Sequence, residues 1–354
     1  MNVRAVQTAR EAAAGLFTVG PAAGHTRHAL RVAAGLAIPG SALLALGRTD
    51  LLIFAMFGSF VGMYGRDGSR RERGRHQRSA ALLIGGGVGV GVWLAAAGVE
   101  PLVLIVVESG FAAAASLLAD HRGILPGGPF YAIFALGAIA WTPADAAKPL
   151  PALAVFTVTA ALCMALAALD IESADAAAAP APPGLHVGAR HATRYAVAVS
   201  GAGLAGLGLG VGHANWAMVS AAVPLAALDA GAHFSRGLHR VAGTFLGLGL
   251  TAILLVPGPR PVLTGALVLA LLFPTELYMA RNYALALGFF TPLIMLMTSL
   301  SVPTSPERLL FDRGIDTVLG VAIGVLVATA HQHLRWQTPG IAPHRPQTRC
   351  RRDP

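Results

Sequence analysis

Apolar runs separated by short polar connections fill the chain from residue 28 to residue 331. Twelve fall within 28–47, 50–65, 79–98, 101–119, 129–142, 149–169, 192–211, 214–229, 240–257, 261–279, 283–301 and 312–331, the second, fifth and eighth being short. About 20 apolar residues in helical rise cross the hydrocarbon of a bilayer. The pattern predicts an all-α integral membrane protein with about twelve transmembrane helices. An even number of spans returns the chain to the side on which it started, so each connection can be assigned a side. One side then holds 21 of the 26 basic residues, among them six arginines from Arg66 to Arg78. The other holds Arg48, Lys148, Arg260, Arg308 and Arg313. Basic connections stay inside, which predicts a multi-pass plasma membrane protein with both termini in the cytoplasm.

The runs also repeat. "RHALRVAAGLAIPGSALLALG" from Arg27 returns as "RHATRYAVAVSGAGLAGLGLG" from Arg190, and "RSAALLIGGGVG" from Arg78 is echoed by "RVAGTFLGLGLT" from Arg240. Repeats of six spans run parallel, related by an axis along the membrane normal. The expected organisation is a cytoplasmic tail over 1–27, a six-span half over 28–169, an Ala/Pro-rich tether over 170–189, a second six-span half over 190–333 and a basic tail over 334–354. The tail at 1–27 lacks an apolar core followed by a small-residue cleavage site, so it is expected to be retained, as an interfacial helix. A finer echo pairs Arg240-x-x-Gly243-Thr244-x-x-Gly247 with Arg313-x-x-Asp316-Thr317-x-x-Gly320. These segments open spans of opposite direction. The echo is read either as an inverted three-plus-three repeat within a half or as small residues suited to close helix packing.

Composition agrees with the pattern and removes other classes. Hydrophobic residues are 55% and charged ones 12%, where a soluble domain is about a quarter charged. The net charge of +9 follows from topology and does not call for nucleic acid. Cys163 in an apolar run and Cys350 in the polar tail cannot pair, and nothing has metal-ligand spacing. The single lysine, Lys148, lies outside any phosphate loop. Gly201-x-Gly203-x-x-Gly206 has no strand before it. No cofactor and no enzymatic activity are expected.

The segments "HANWAMVSAAVPL", "HRVAGTFLGLGL", "NYALALGFFTPLIML" and "RGIDTVLGVAIGVL" resemble the membrane domain of the fusaric acid resistance protein-like family, which includes aromatic acid exporters. The resemblance is clear over 186–333 and faint over 28–169. It implies six-span units and proton-driven efflux of hydrophobic or aromatic carboxylic acids, with a small organic anion and protons as partners. Plant aluminium-activated malate channels look like distant relatives, so the resemblance does not separate carrier from channel.

Several polar side chains stand where hydrocarbon is expected. Glu108 lies seven residues past Pro101, about 10 Å into the membrane at the helical rise. An ionisable group at that depth faces a cavity or a partner, so it is either a proton-carrying group or a hydrogen-bonded structural carboxyl. In "FPTELYMARNYALAL", Glu276, Arg281, Asn282 and Tyr283 form either an interfacial anchor or the cytoplasmic mouth of an anion path. Asp312, Arg313 and Asp316 share a helical face, so they make an intrahelical ion pair or a gate or proton site. The short eighth span opens with His213, Asn215 and Trp216 and is interrupted by Pro224. Its counterpart in the second span opens with Arg48, Asp50 and Leu51 and has Gly58 and Ser59 where Pro224 would fall, and interrupted spans at matching positions point to a substrate site. Arg240, Thr244 and Thr317 complete the candidate pathway. Three functions remain open: a secondary exporter, an anion channel, and a membrane anchor whose Arg66–Arg78 loop meets a partner or anionic lipid headgroups. Self-association of the chain is left open.

Overall fold

The computed structural model describes residues 3–21, 24–66, 69–124, 128–144, 147–169, 185–210, 213–226, 230–301 and 305–336, and these contain helices and connections but no strand. In chain order the helices are α1 (Val3–Leu16), α2 (His25–Ala45), α3 (Leu52–Ser59), α4 (Arg70–Ala96), α5 (Pro101–Arg122), α6 (Phe130–Ala140), α7 (Pro149–Ala168), α8 (Leu185–Gly208), α9 (Ala214–Leu225), α10 (Ala230–Leu255), α11 (Pro261–Met279), α12 (Tyr283–Ser301) and α13 (Pro306–Trp336). Each of the twelve apolar runs coincides with one of the helices from α2 to α13. Seven of these, α2, α4, α5, α7, α10, α11 and α12, are long and apolar enough to cross a bilayer. Most of the tether, 170–184, and most of the C-terminal tail, 337–354, lie outside the described residues.

Local chemistry sets the helix starts. Proline opens α5, α7 and α11 at the first turn, where its missing N–H would have had no partner and its fixed φ already suits a helix. Ser69 and Glu72 form a reciprocal capping box at the start of α4. The short α3 follows a 3-10 turn at Thr49–Leu51 and passes into another at Phe60–Met63. At about 1.5 Å per residue, α3, α6 and α9 are each far shorter than the ~30 Å hydrocarbon.

Burial separates the helices into two populations. Every residue of α3 and of α9 is buried, and most of α6 and α12 are too. These four make a central column. The surrounding helices turn large apolar side chains outward, for example Leu82 and Trp93 of α4, Val106 of α5, Ile253 of α10 and Leu326 of α13. A soluble protein rarely exposes so much contiguous apolar surface. This is a multi-pass membrane protein.

The packing has a repeated plan. α4 lies on α6 as α10 lies on α12, α3 on α7 as α9 on α13, and α5 meets α8 as α11 meets α2. Glycines set three of these crossings. A Cβ on Gly87 or Gly91 of α4 would meet backbone atoms of α6, on Gly243 or Gly247 of α10 those of α12, and on Gly320 or Gly324 of α13 those of α9. Small residues four apart let backbones approach this closely. The crossings also correct the register expected from the sequence echo. Gly87 takes the place of Gly243, so Arg240 corresponds to Ile84, six residues past Arg78. In the same register Val88 stands opposite Thr244.

α1 packs on α10 at one end of the bundle, here the near face. Asn282 donates to the carbonyls of Leu16 and Thr18 at 2.8 and 3.0 Å, Arg281 Nε donates to Gly20 O at 2.9 Å, and a His239 ring nitrogen lies 3.2 Å from Ala12 O. Asn282 also caps α12 by accepting from Leu285 N at 2.8 Å. Thus Arg281 and Asn282, placed by the sequence at an anion mouth or an interfacial anchor, hold α1.

Candidate functional site

Arg240 lies ten residues into α10 and Arg313 seven residues into the oppositely directed α13, about 15 Å and about 10 Å along their helices. Both are buried to 1% exposure. α10 and α13 are in contact, and Arg313 is within electrostatic range of Arg240 and Asp316. The two guanidinium groups rest on aromatic faces. Arg240 Cζ lies 5.6 Å from the ring centre of Phe130 on α6, and Arg313 Cζ lies 5.2 Å from that of Trp216 on α9.

These charges are short of partners. Nε and Nη1 of both arginines, both carboxylate oxygens of Asp316, and Thr244 Oγ1, Asn215 Oδ1, Ser220 Oγ and Thr291 Oγ1 are buried without a hydrogen bond. Buried polar groups nearly always find partners, and an unmet one costs about 1–3 kcal/mol, more when charged. The expected intrahelical pair of Arg313 with Asp316 is not formed. Instead the Arg313 guanidinium reaches across to Trp216, and Asp312 lies 3.2 Å from His213 Nδ1. His213 in turn stacks on Trp216, with centroids 4.3 Å apart and planes 11° apart. Thr317 donates to Arg313 O within its own helix. Pro224, expected to interrupt the eighth span, lies in the last turn of α9 and offers its carbonyl to His233 Nδ1 at 2.6 Å.

Two arginines here face Asp316 and, through the His213–Trp216 stack, Asp312. The unpartnered donors and hydroxyls come from α9, α10, α12 and α13. The arrangement can offer guanidinium donors to an oxyanion. Among the described residues of 28–169, Ile84 and Val88 stand at the places of Arg240 and Thr244. The buried carboxyl there is Glu108 on α5, 0% exposed, with both oxygens unpartnered. Glu108 packs against Gly137 of α6. The neighbouring donor, Trp141 Nε1, is outside hydrogen-bond geometry.

Of the near-face candidates, Tyr283 is within electrostatic range of Arg313, whereas Glu276 takes a different partner. Glu276 is buried and its carboxylate lies 3.6 Å from His28 Nε2 of α2, so its partner is a histidine of the other half and not Arg281. Tyr283 receives the Arg236 guanidinium over its ring at 4.8 Å.

Between the arginines and the opposite, far face runs an aromatic seam on the central column. Phe57 meets Phe60 and Phe134 at 5.7 and 5.3 Å, and Phe290 of α12 meets Phe60 and Phe134 at 6.0 and 5.9 Å. Phe134 also stacks on Phe130, the ring beneath Arg240. The seam ends at a far-face cavity of about 210 Å³ between α3, α4, α6 and the end of α12. The sequence singled out Arg48 and Asp50 at the opening of the second span but missed the meeting of Asp50 with Lys148 at this polar rim. Arg48 Nε and Nη2 each donate to the Asp50 carboxylate at 3.0 Å, as does Lys148 Nζ. The hydrogen bonds from Arg48, with Lys148 adding to them, hold the Asp50 carboxyl down to about 2. The trio therefore carries net +1 at neutral pH.

Of the segments just described, one stretch can be matched to known proteins. Residues 196–327 match the fusaric acid resistance protein-like family. The matched segment contains Trp216, Ser220, Arg240, Thr244, Thr291, Arg313 and Asp316, so the charged cluster lies within the family domain except for Phe130. Glu108 and the far-face trio lie outside it. The chain is 28% identical over 136 residues to the uncharacterized membrane protein YvaC of Bacillus subtilis (strain 168), which covers 38% of this chain and 22% of that relative. This chain thus aligns with under a quarter of the relative's length. No solved structure matches.

Proposed function

We propose that the protein is a secondary transporter of the plasma membrane, with both termini cytoplasmic, that moves hydrophobic or aromatic carboxylic acids outward in exchange for protons. The observation that carries this reading is the pair of buried arginines with unmet donors. A bidentate guanidinium suits a carboxylate. The aromatic seam supports an aromatic or apolar body, since edge-to-face ring contacts within the protein can be exchanged for contacts with a passing ring. The repeated packing of the two halves supports twelve spans in two parallel six-span repeats, with the seam between them as the moving interface.

Two buried carboxyls could hold the coupling proton. Asp316 shares the site with the arginines, so a proton on it and the anion would bind together and travel in one direction. Exchange needs a proton seat that the anion does not share. Glu108 is such a seat, and α6 joins it to the site, with Gly137 against Glu108 and Phe130 beneath Arg240.

The test is movement of labelled 4-hydroxybenzoate in proteoliposomes, with an imposed pH gradient and after its collapse. Wild type is expected to accumulate the acid against its gradient on the more acidic side. Glu108→Gln is expected to equilibrate the acid at a measurable rate without accumulating it. Wild-type flux that only equilibrates would indicate a channel, and absence of flux for benzoate-type acids would contradict the transport reading.

A further inference from the structure

The far-face cavity holds chemistry that the arginine cluster does not use. Its walls are Ile53, Phe54, Val92, Ile139 and Leu300, and its polar rim includes Lys148, Asp50, Thr142 and Ser301. Asp50 receives two donors from Arg48 and one from Lys148, so its carboxylate is well satisfied. The Lys148 ammonium has three N–H donors and spends one on Asp50. The Thr142 hydroxyl, just past α6, donates to Ile139 O, and the Ser301 hydroxyl donates to Met297 O within α12, which leaves their lone pairs as acceptors. An apolar chamber with one surplus cation at its rim is complementary to an anion with an apolar body. At about 210 Å³ the chamber is below the ~300–1,000 Å³ of sites for drug-sized molecules, so it fits a single-ring or short-chain acid.

We propose that this cavity is a second carboxylate site, with Lys148 binding the carboxylate and the apolar walls holding the ring or chain. A hydroxyl on the ring can donate to Thr142 or Ser301. Phe54 lines the cavity and Phe57, one helical turn deeper, belongs to the aromatic seam, so the site is the far-face end of the same route. Its service as the outer release station rests on the transport reading above.

Lys148 is the only lysine in the chain, and its side chain is 49% exposed. Its acetylation by a membrane-impermeant succinimidyl ester can therefore be followed by peptide mass spectrometry in the purified full-length protein, using 4-hydroxybenzoate as the probe. Labelling is expected to slow about fivefold once the acid is present at about four times its Kd. Cyclohexyltrimethylammonium, an apolar cation with no N–H for the ester to acylate, is expected to give no protection. Thr142→Trp, at the half-buried rim, is expected to fill the cavity and abolish protection by the acid, whereas Arg240→Gln is expected to retain protection while losing transport. Unchanged labelling at saturating acid in a protein that transports it would overturn the second site and leave the transport reading intact. Protection without flux would do the reverse. Equal protection by the cation would overturn recognition of the carboxylate.

Discussion

Arg313→Gln is expected to remove carboxylate transport and at the same time to raise the melting temperature of the purified protein. The two effects have one cause. Arg313 is held at 1% exposure with Nε and Nη1 unmet, and a buried charge without a close counter-ion is costly. A neutral amide is cheaper to bury, so the folded state gains. The transported anion loses a charge-assisted, bidentate partner. Truncating one side of such a buried pair costs about 2–5 kcal/mol, which is a loss of at least about thirtyfold in binding. The initial rate of 4-hydroxybenzoate flux and a thermal melt of the same preparation measure both. A purely structural arginine would give the opposite sign in the melt, with Arg313→Gln destabilised. Arg240→Gln is expected to behave in the same way, since its guanidinium has the same unmet atoms and rests on Phe130 as Arg313 rests on Trp216.

Gly320→Ala is expected to loosen the crossing of α13 on α9 and to lower the melting temperature, with Gly243→Ala doing so at the crossing of α10 on α12. A Cβ at Gly320 would fall on the carbonyl oxygen of Ala217 and against Ser220 Cβ, and one at Gly243 on the carbonyl of Ala284 and against Leu287 Cβ. Backbone cannot yield as a flexible side chain can, so the helices must move apart, an overpacking cost of about 1–3 kcal/mol. The same displacement would shift Ser220 and Trp216 relative to Arg313, so flux is expected to fall too. Gly249 supplies the control. Nothing lies within 4 Å of a Cβ built there, and Gly249→Ala, which gains helix propensity without a clash, is expected to leave the flux unchanged and not to lower the melting temperature. Equal effects at all three positions would show that helix propensity, not close approach, governs these glycines.

The helices were legible because run length and hydrophobicity suffice to mark them, and α2 to α13 each fall on an expected run. The interiors of the short runs were less so. Nothing in Phe60–Met63 announces a 3-10 continuation of α3, which depends on the column packed around it. Within the site, Arg240, Arg313 and Asp316 stood out as charges at helix entrances, and the span count anticipated opposed helices, although the structure carries both arginines deeper, to 1% exposure. Their separation into two unpaired guanidiniums did not, because spacing places Asp316 on the face of Arg313 while the aromatic ring that draws Arg313 away comes from α9. Asn282 could have been read as a helix cap from its place immediately before an apolar run, but its bonds to Leu16 and Thr18 reach back more than 260 residues. Lys148 and Asp50 meet across 98 positions, and no local pattern brings two such connections together. The sequence echo from Arg78 to Arg240 misled by six residues because arginine is common at the near-face helix starts, whereas the glycine crossings fix the register physically.

The measurement that bears most directly on the central claim is equilibrium binding of labelled 4-hydroxybenzoate to the purified Lys148→Gln protein, from which the far-face site has been removed. Saturable binding of one acid per chain, lost in the additional variants Arg240→Gln and Arg313→Gln and competed by benzoate but not by benzyl alcohol, is the predicted result. Binding that persists when both arginines are neutral, or that benzyl alcohol competes as well as benzoate does, would contradict a carboxylate site at the crossing of α10 and α13.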